Sequence, residues 1–318
     1  MRTGSTATAL ITFALCSLSL AFAANEEPSA IHLCFRLGTP SEQILGARDF
    51  SVLINGKPAP VLNVKTPRDG QMILLVLDLT GDVTDAQTAK DAIAEEIQQL
   101  AVSSVVAVIR AQDGPTVLVD PTAERGPVAK AIQDYPVSGK AGLLDVLPSV
   151  AMLADNIAKA ANVRIATLYV TDSNVRNYRE DFANPVINSS DPHDLSRRFP
   201  EALIQEKIDK LAKSLASREA PIFIVHLHYQ TTPLNAAYQG GLKRLAESTA
   251  GWSVFCASPA EIPQAIHEAF TNILSEYTLT VGLPSRAAST LQIHVAPSSP
   301  ASYSGDVVYR ARLLLKKR

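Results

Sequence analysis

Asp78, Thr80 and Asp82 alternate along Asp78-Leu-Thr-Gly-Asp82, and Asp172 follows much later in Thr171-Asp-Ser-Asn174. Carboxylate and hydroxyl oxygens in such short polar runs have two ordinary uses. They can accept hydrogen bonds from the first backbone N–H groups of a following helix, where a negative charge also suits the helix dipole. Alternatively, they can converge on a ligand. Which use applies depends on where the chain delivers them.

Both runs close an apolar stretch. Gln71-Met-Ile-Leu-Leu-Val-Leu-Asp78 reads as a strand covered on both faces, and Val163-Arg-Ile-Ala-Thr-Leu-Tyr-Val170 as another core strand. In open α/β sheets, ligands bind outside the carboxyl ends of the strands, where these oxygens fall. A helical pattern follows the first strand at once, with Ala89, Ile93, Ile97 and Leu100 on one face. Ser104–Arg110 and Thr116–Asp120 read as antiparallel strands around Asp113-Gly-Pro115. Helices are expected over Glu124–Asp134, Leu143–Ala160, Glu201–Ala216, Leu242–Ser248 and Pro259–Leu274, with strands at Pro221–His228 and Gly251–Cys256. The alternation predicts an α/β fold: a Rossmann-like, doubly wound, mostly parallel sheet with helices on both faces. Arg176–Phe199 reads as a polar insertion at the sheet edge and contains a glycosylation acceptor, Asn188-Ser-Ser190.

Both ends of the chain read as β. Ile31–Leu37 alternates in part, and Asn55-Gly56 predicts a type I′ hairpin between Asp49–Ile54 and Ala59–Val64. Tyr277–Leu283, Thr290–Val295 and Val307–Leu313 show period-two patterning. The expectation is one small sheet built from both terminal segments. The expected division is a signal peptide at 1–23, a β preface at 24–69, the α/β domain at 70–275 and C-terminal strands at 276–318.

Arg2, the apolar segment Ala7–Ala23 and the exit Ala21-Phe-Ala23 have the form of a secretory signal, so an exported, periplasmic or secreted protein is expected. No later stretch is apolar enough to span a membrane. Beyond that signal only Cys34 and Cys256 remain, read as two buried thiols. The 318 residues carry a formal charge of −2 and no basic stripe with interleaved aromatics, which argues against nucleic acid as a partner.

The order of these pieces resembles a von Willebrand factor A-type (VWA) domain, in particular its exported bacterial VWFA-related branch, known from acidobacterial sequences. The resemblance rests on the Asp49-Phe50, Val52 and Gly56-Lys57 hairpin, Leu77-Asp-Leu-Thr-Gly-Asp82, Thr171-Asp172, Leu242–Gly251, Tyr277-Thr-Leu279 and Tyr309-Arg-Ala-Arg312, and spans nearly all of the chain after the signal. It implies a metal-ion-dependent adhesion site at the sheet edge, where hard oxygen ligands would grip Mg²⁺ or Ca²⁺ for a partner's carboxylate. Carried over by position, the metal set is Asp78, Thr80, Asp82 and Asp172. Asp82 stands where a hydroxyl is usual, and Ala141 stands where a threonine is usual. The altered set implies either no physiological metal or a weak, calcium-like one, and Lys140 is a candidate to neutralise the acidic edge.

The resulting expectation is an exported module that binds a protein or cell-surface partner at its sheet edge, with no catalytic residue. Two alternatives remain open. Asp78-Leu-Thr-Gly-Asp82 is also similar to the Asp-Lys-Thr-Gly-Thr of phosphoryl-transferring enzymes, with Asp78 as nucleophile. The other is a scaffold with a relic site. His226 and His228 would share a strand face, but no third zinc ligand stands nearby.

Overall fold

The run Gln71–Asp78 buries all eight of its residues, as does Arg164–Thr171. Strands this apolar have no solvent face, so they settle only where helices cover both sides of a sheet. The computed structural model describes residues 30–39, 43–161, 163–174, 200–284, 287–300 and 303–315. The strands are β1 (Ala30–Leu37), β2 (Phe50–Ile54), β3 (Lys57–Ala59), β4 (Val61–Lys65), β5 (Gln71–Asp78), β6 (Val105–Arg110), β7 (Thr116–Thr122), β8 (Arg164–Thr171), β9 (Ile222–His226), β10 (Trp252–Phe255), β11 (Tyr277–Gly282), β12 (Thr290–Pro297), β13 (Val307–Tyr309) and β14 (Arg312–Leu314). The helices are α1 (Val83–Gln99), α2 (Arg125–Gln133), α3 (Leu143–Ala161), α4 (Pro200–Leu215), α5 (Pro233–Glu247) and α6 (Ile262–Leu274).

The central sheet has the order β10-β9-β8-β5-β6-β7, parallel throughout except for β7. This is the doubly wound, Rossmann-like α/β fold. Alternate side chains of β5 divide between two cores. Leu74 and Val76 pack with α3, α4 and α5; Ile73, Leu75 and Leu77 pack with α1, α2 and α6. Each fully buried aliphatic side chain here contributes about 1.5–3 kcal/mol. The chain leaves β5 in one direction toward β6 and returns to its other side at β8. The point where the winding reverses therefore lies between the carboxyl ends of β5 and β8, with Asp78 directly opposite Thr171.

The terminal segments form two sheets, not the single one expected. β13-β1-β11-β4 and β14-β12-β2-β3 face each other across a shared core of Phe35, Phe50, Val52, Tyr277, Leu279 and Ile293. The reason is Pro60. Asn55 and Gly56 take φ of 51° and 75° and close the β2–β3 hairpin as anticipated. Pro60 then interrupts the strand, and β4 crosses to pair with β11 in the other sheet.

This sandwich is fastened to the amino edge of the central sheet. Arg164, at the start of β8, donates to the carbonyls of Glu276 at 2.7 Å and Asp69 at 2.9 Å. Arg36 of β1 donates to the Gly251 carbonyl just before β10, at 3.0 Å. The carboxyl edge is left uncovered by the sandwich. Among the described residues no helix is long and apolar enough to cross a membrane. Cys34 and Cys256 are separate buried thiols, as read. The proposed signal, the insertion 176–199 and Asn188 lie outside the described residues.

Two local expectations need correction. The helix expected at Leu242–Ser248 begins at Pro233, because Thr232 caps it and Pro233 suits a first helical turn. Strand β9 ends at His226, so His226 and His228 do not share a strand face: His226 is buried and His228 is exposed beyond it.

Candidate functional site

At the winding reversal three loops meet: the one after β5, the one before α3 and the one after β8. Asp78 lies beneath them, fully buried. Its Oδ1 accepts from Gly142 N at 3.0 Å and its Oδ2 from Leu143 N at 3.1 Å. Those are N–H groups at the start of α3, which have no partner within the helix. Gly142 permits the approach, since a Cβ there would sit 1.9 Å from the Ala111 carbonyl oxygen. Burial pushes the Asp78 carboxyl up to about 7, against the pull of the Gly142 and Leu143 N–H groups, and nearby Asp172 pushes the same way as burial.

Asp172 approaches from β8. Its Oδ1 accepts from Thr80 N at 2.7 Å and from the Thr80 hydroxyl at 3.2 Å, and its Oδ2 accepts from Gly81 N at 2.7 Å. Burial raises its affinity for a proton, and the Thr80 and Gly81 donors oppose that. The backbone joins the two loops as well, because Asp172 N donates to the Asp78 carbonyl at 3.3 Å. The structure thus brings Asp78, Thr80 and Asp172 together.

Asp82 has a different role. It is exposed and caps α1, its Oδ1 accepting from Thr84 N at 2.7 Å and Asp85 N at 3.1 Å. Those bonds hold its carboxyl below the usual carboxylate range. Lys140 is also exposed; its backbone N–H donates to Asp113 at 3.2 Å, and no hydrogen bond joins its ammonium to Asp78, Asp82 or Asp172.

Above this layer opens a cleft of about 300 Å³, lined by Gly81, Asp82, Asp85, Asp172, Asn174, His228, Gln230 and Pro259. Asp85, His228 and Gln230 were not singled out as rim residues from the sequence. His228 Nδ1 lies 3.6 Å from Asp85 Oδ2. His226 supports the rim from below: its Nε2 is 2.7 Å from the Ser173 carbonyl, and burial pushes its pKa down to about 4, so it is neutral and donates there. Ser173 Oγ is bonded in turn to Tyr238 at 2.7 Å.

The arrangement bears on two chemistries. As a phosphoryl-accepting nucleophile Asp78 fails, since no solvent reaches it and both of its oxygens hold backbone N–H groups. A divalent cation would need several oxygens turned to one point. Here Asp78 and Asp172 accept from backbone donors, Asp82 turns to its own helix, and where a hydroxyl ligand would be needed buried Ala141 offers a methyl. Among the described residues no three His, Cys, Asp or Glu side chains converge as ligands would. The residues present do not fit the adhesion-type cation.

No protein-family model matches the chain, and no curated protein matches it. Among solved structures, a von Willebrand factor type A protein from Catenulispora acidiphila overlaps 91% of this chain and 74% of its own, at 12% identity and a TM-score of 0.44. The vWF domain of the type V pili tip protein Mfa5 from Porphyromonas gingivalis overlaps 64% of this chain and 95% of its own, at 14% identity and a TM-score of 0.44. Proximal thread matrix protein 1 from the mussel byssus, with a zinc-occupied MIDAS motif, overlaps 68% of this chain and 48% of its own, at 12% identity and a TM-score of 0.41. The chain is similar to them in fold. At these identities and scores the likeness assigns no site and no activity, and the architecture stands on this chain's own strand order.

Proposed function

We propose that this chain is an exported binding module of VWA type, which engages a protein or surface-polymer partner at the carboxyl rim of its central sheet. The observation that carries the reading is the cleft at the winding reversal, walled by Asp82, Asp85, Asp172, Asn174, His228 and Gln230. It lies where doubly wound folds hold their ligands. The sandwich occupies the opposite edge, so the rim is left for a partner. No residue is assigned a catalytic role.

The test is site-directed crosslinking in cells. A photoreactive residue placed at Gln230, on the cleft, is expected to capture a discrete partner. The same residue at Val102, 91% exposed at the amino end of β6, is expected to capture none. Equal capture from both positions, or none from Gln230, overturns the reading. Recovery of the chain from the envelope or medium, beginning near Ala24, would bear out its export.

A further inference from the structure

We infer that Asp78 and Asp172 act as hydrogen-bond staples that hold the rim loops in place of a cation, so that the rim's shape is independent of divalent metal. The resemblance to adhesion-type sites implies a metal that ties the loop after β5, the loop before α3 and the loop after β8. In this chain those three loops are already tied. Asp78 links the end of β5 to Gly142 and Leu143, at 3.0 and 3.1 Å. Asp172 links the end of β8 to Thr80 and Gly81, at 2.7 Å each. Every carboxylate oxygen of the pair accepts at least one backbone N–H.

Two features make the staples a coherent replacement and not a site awaiting metal. Backbone N–H groups supply the positive partial charge that a cation would supply, and those met by Asp78 lie at the positive end of the α3 dipole. The position that would add a hydroxyl ligand is Ala141, whose methyl is packed among the buried residues of the α3 core. The other ligand positions are not turned to this point either, since Ala141 offers a methyl and Asp82 caps α1.

The test is thermal unfolding of the full chain in chelator and in Mg²⁺, Ca²⁺ and Mn²⁺, paired with amide exchange. For the wild type, one midpoint is expected in all conditions, and calorimetric titration with each metal should show no binding heat. In Asp172→Asn, which keeps one acceptor oxygen, amide protection at Gly81 or Thr80 should fall by about tenfold or more, and in Asp78→Asn the same loss should appear at Gly142 or Leu143. Both losses should be equal with chelator and with metal. A wild-type midpoint that rises with metal, and no longer does so in Asp172→Asn, overturns the inference. So does unchanged protection at all four amides, Thr80, Gly81, Gly142 and Leu143. The wild-type titration stands even if a variant does not fold, and the outcome is independent of crosslinking at Gln230.

Discussion

Burial of a carboxyl has a sign that pH can reveal. Asp78 is raised to about 7 and Glu276 to about 8, each chiefly by burial; Arg36 and Arg164 pull Glu276 the other way without winning. A folded value above the unfolded one means that the native state holds the proton more tightly. The stability this lends is complete below the ordinary carboxyl value and is lost as pH rises through the folded value. Asp82 and Glu219, both lowered, act oppositely, but their stabilisation fades only in the acid range below ordinary carboxyl values. His226, lowered to about 4, opposes Asp78 and Glu276 up to about pH 6.5, where its unfolded form gives up its proton. The steepest fall in stability with rising pH should therefore come between about pH 6.5 and pH 8, at about 1.4 kcal/mol per pH unit for each group still losing its proton on unfolding. Urea midpoints across that window check this. Glu276→Gln should flatten the upper half of the decline and Asp78→Asn the lower half. A midpoint that is level or climbs toward pH 8 would show that neither group binds its proton as described.

At the scale of elements, two adjacent glycines in α5 should behave in opposite ways. Gly240 is exposed, and a Cβ there would meet nothing within 4 Å, so Gly240→Ala should stabilise by up to about 1 kcal/mol through helix propensity. Gly241 faces α4, and a Cβ there would lie 2.5 Å from Ile208 Cγ1. Gly241→Ala should therefore cost about 1–3 kcal/mol, as the helices part or Ile208 shifts. Chemical denaturation of the two variants measures the contrast, and equal effects would mean that α4 and α5 are not packed as described. The same pair explains what the sequence left unread: two glycines interrupt the periodic pattern of α5, so only its second half looked helical. Strands β5 and β8 were legible because burial on both faces leaves an unbroken apolar run. The meeting of Asp78, Thr80 and Asp172 was legible for a related reason, since all three stand at or just past the ends of neighbouring strands. Asp82 was open to both uses because residue type alone does not separate a helix cap from a ligand, and it caps α1. Asp85 and His228 face each other across the cleft from segments more than a hundred positions apart, a juxtaposition no local spacing encodes.

The whole molecule divides its two ends between two tasks. The carboxyl edge carries the open cleft, and the amino edge carries the sandwich, joined to the sheet by two short crossings near residues 66–70 and 275–276. Arg164 reaches both crossings with one guanidinium. Its Nη1 donates to the carbonyls of Glu276 at 2.7 Å and Leu274 at 3.4 Å, and its Nη2 to Asp69 at 2.9 Å and Pro67 at 3.2 Å. The Glu276 carboxyl is buried with it, and Arg36 adds bonds to Asn272 at 2.8 Å and Gly251 at 3.0 Å. A planar, permanently charged fork suits this position because it serves four carbonyls from two nitrogens, which an ammonium could not do. Arg164→Met keeps the bulk but leaves those carbonyls without their donor and removes a cation facing Glu276. The expected cost is several kcal/mol, at about 1–3 kcal/mol for each carbonyl left buried without a donor. Because both crossings depend on the same guanidinium, its loss should also uncouple the two cores. Scanning calorimetry is expected to resolve two transitions in Arg164→Met where the wild type gives one, with new proteolytic cleavage near residues 66–70. One transition at an unchanged midpoint would mean that the sandwich and the sheet are held together by their apolar contact alone.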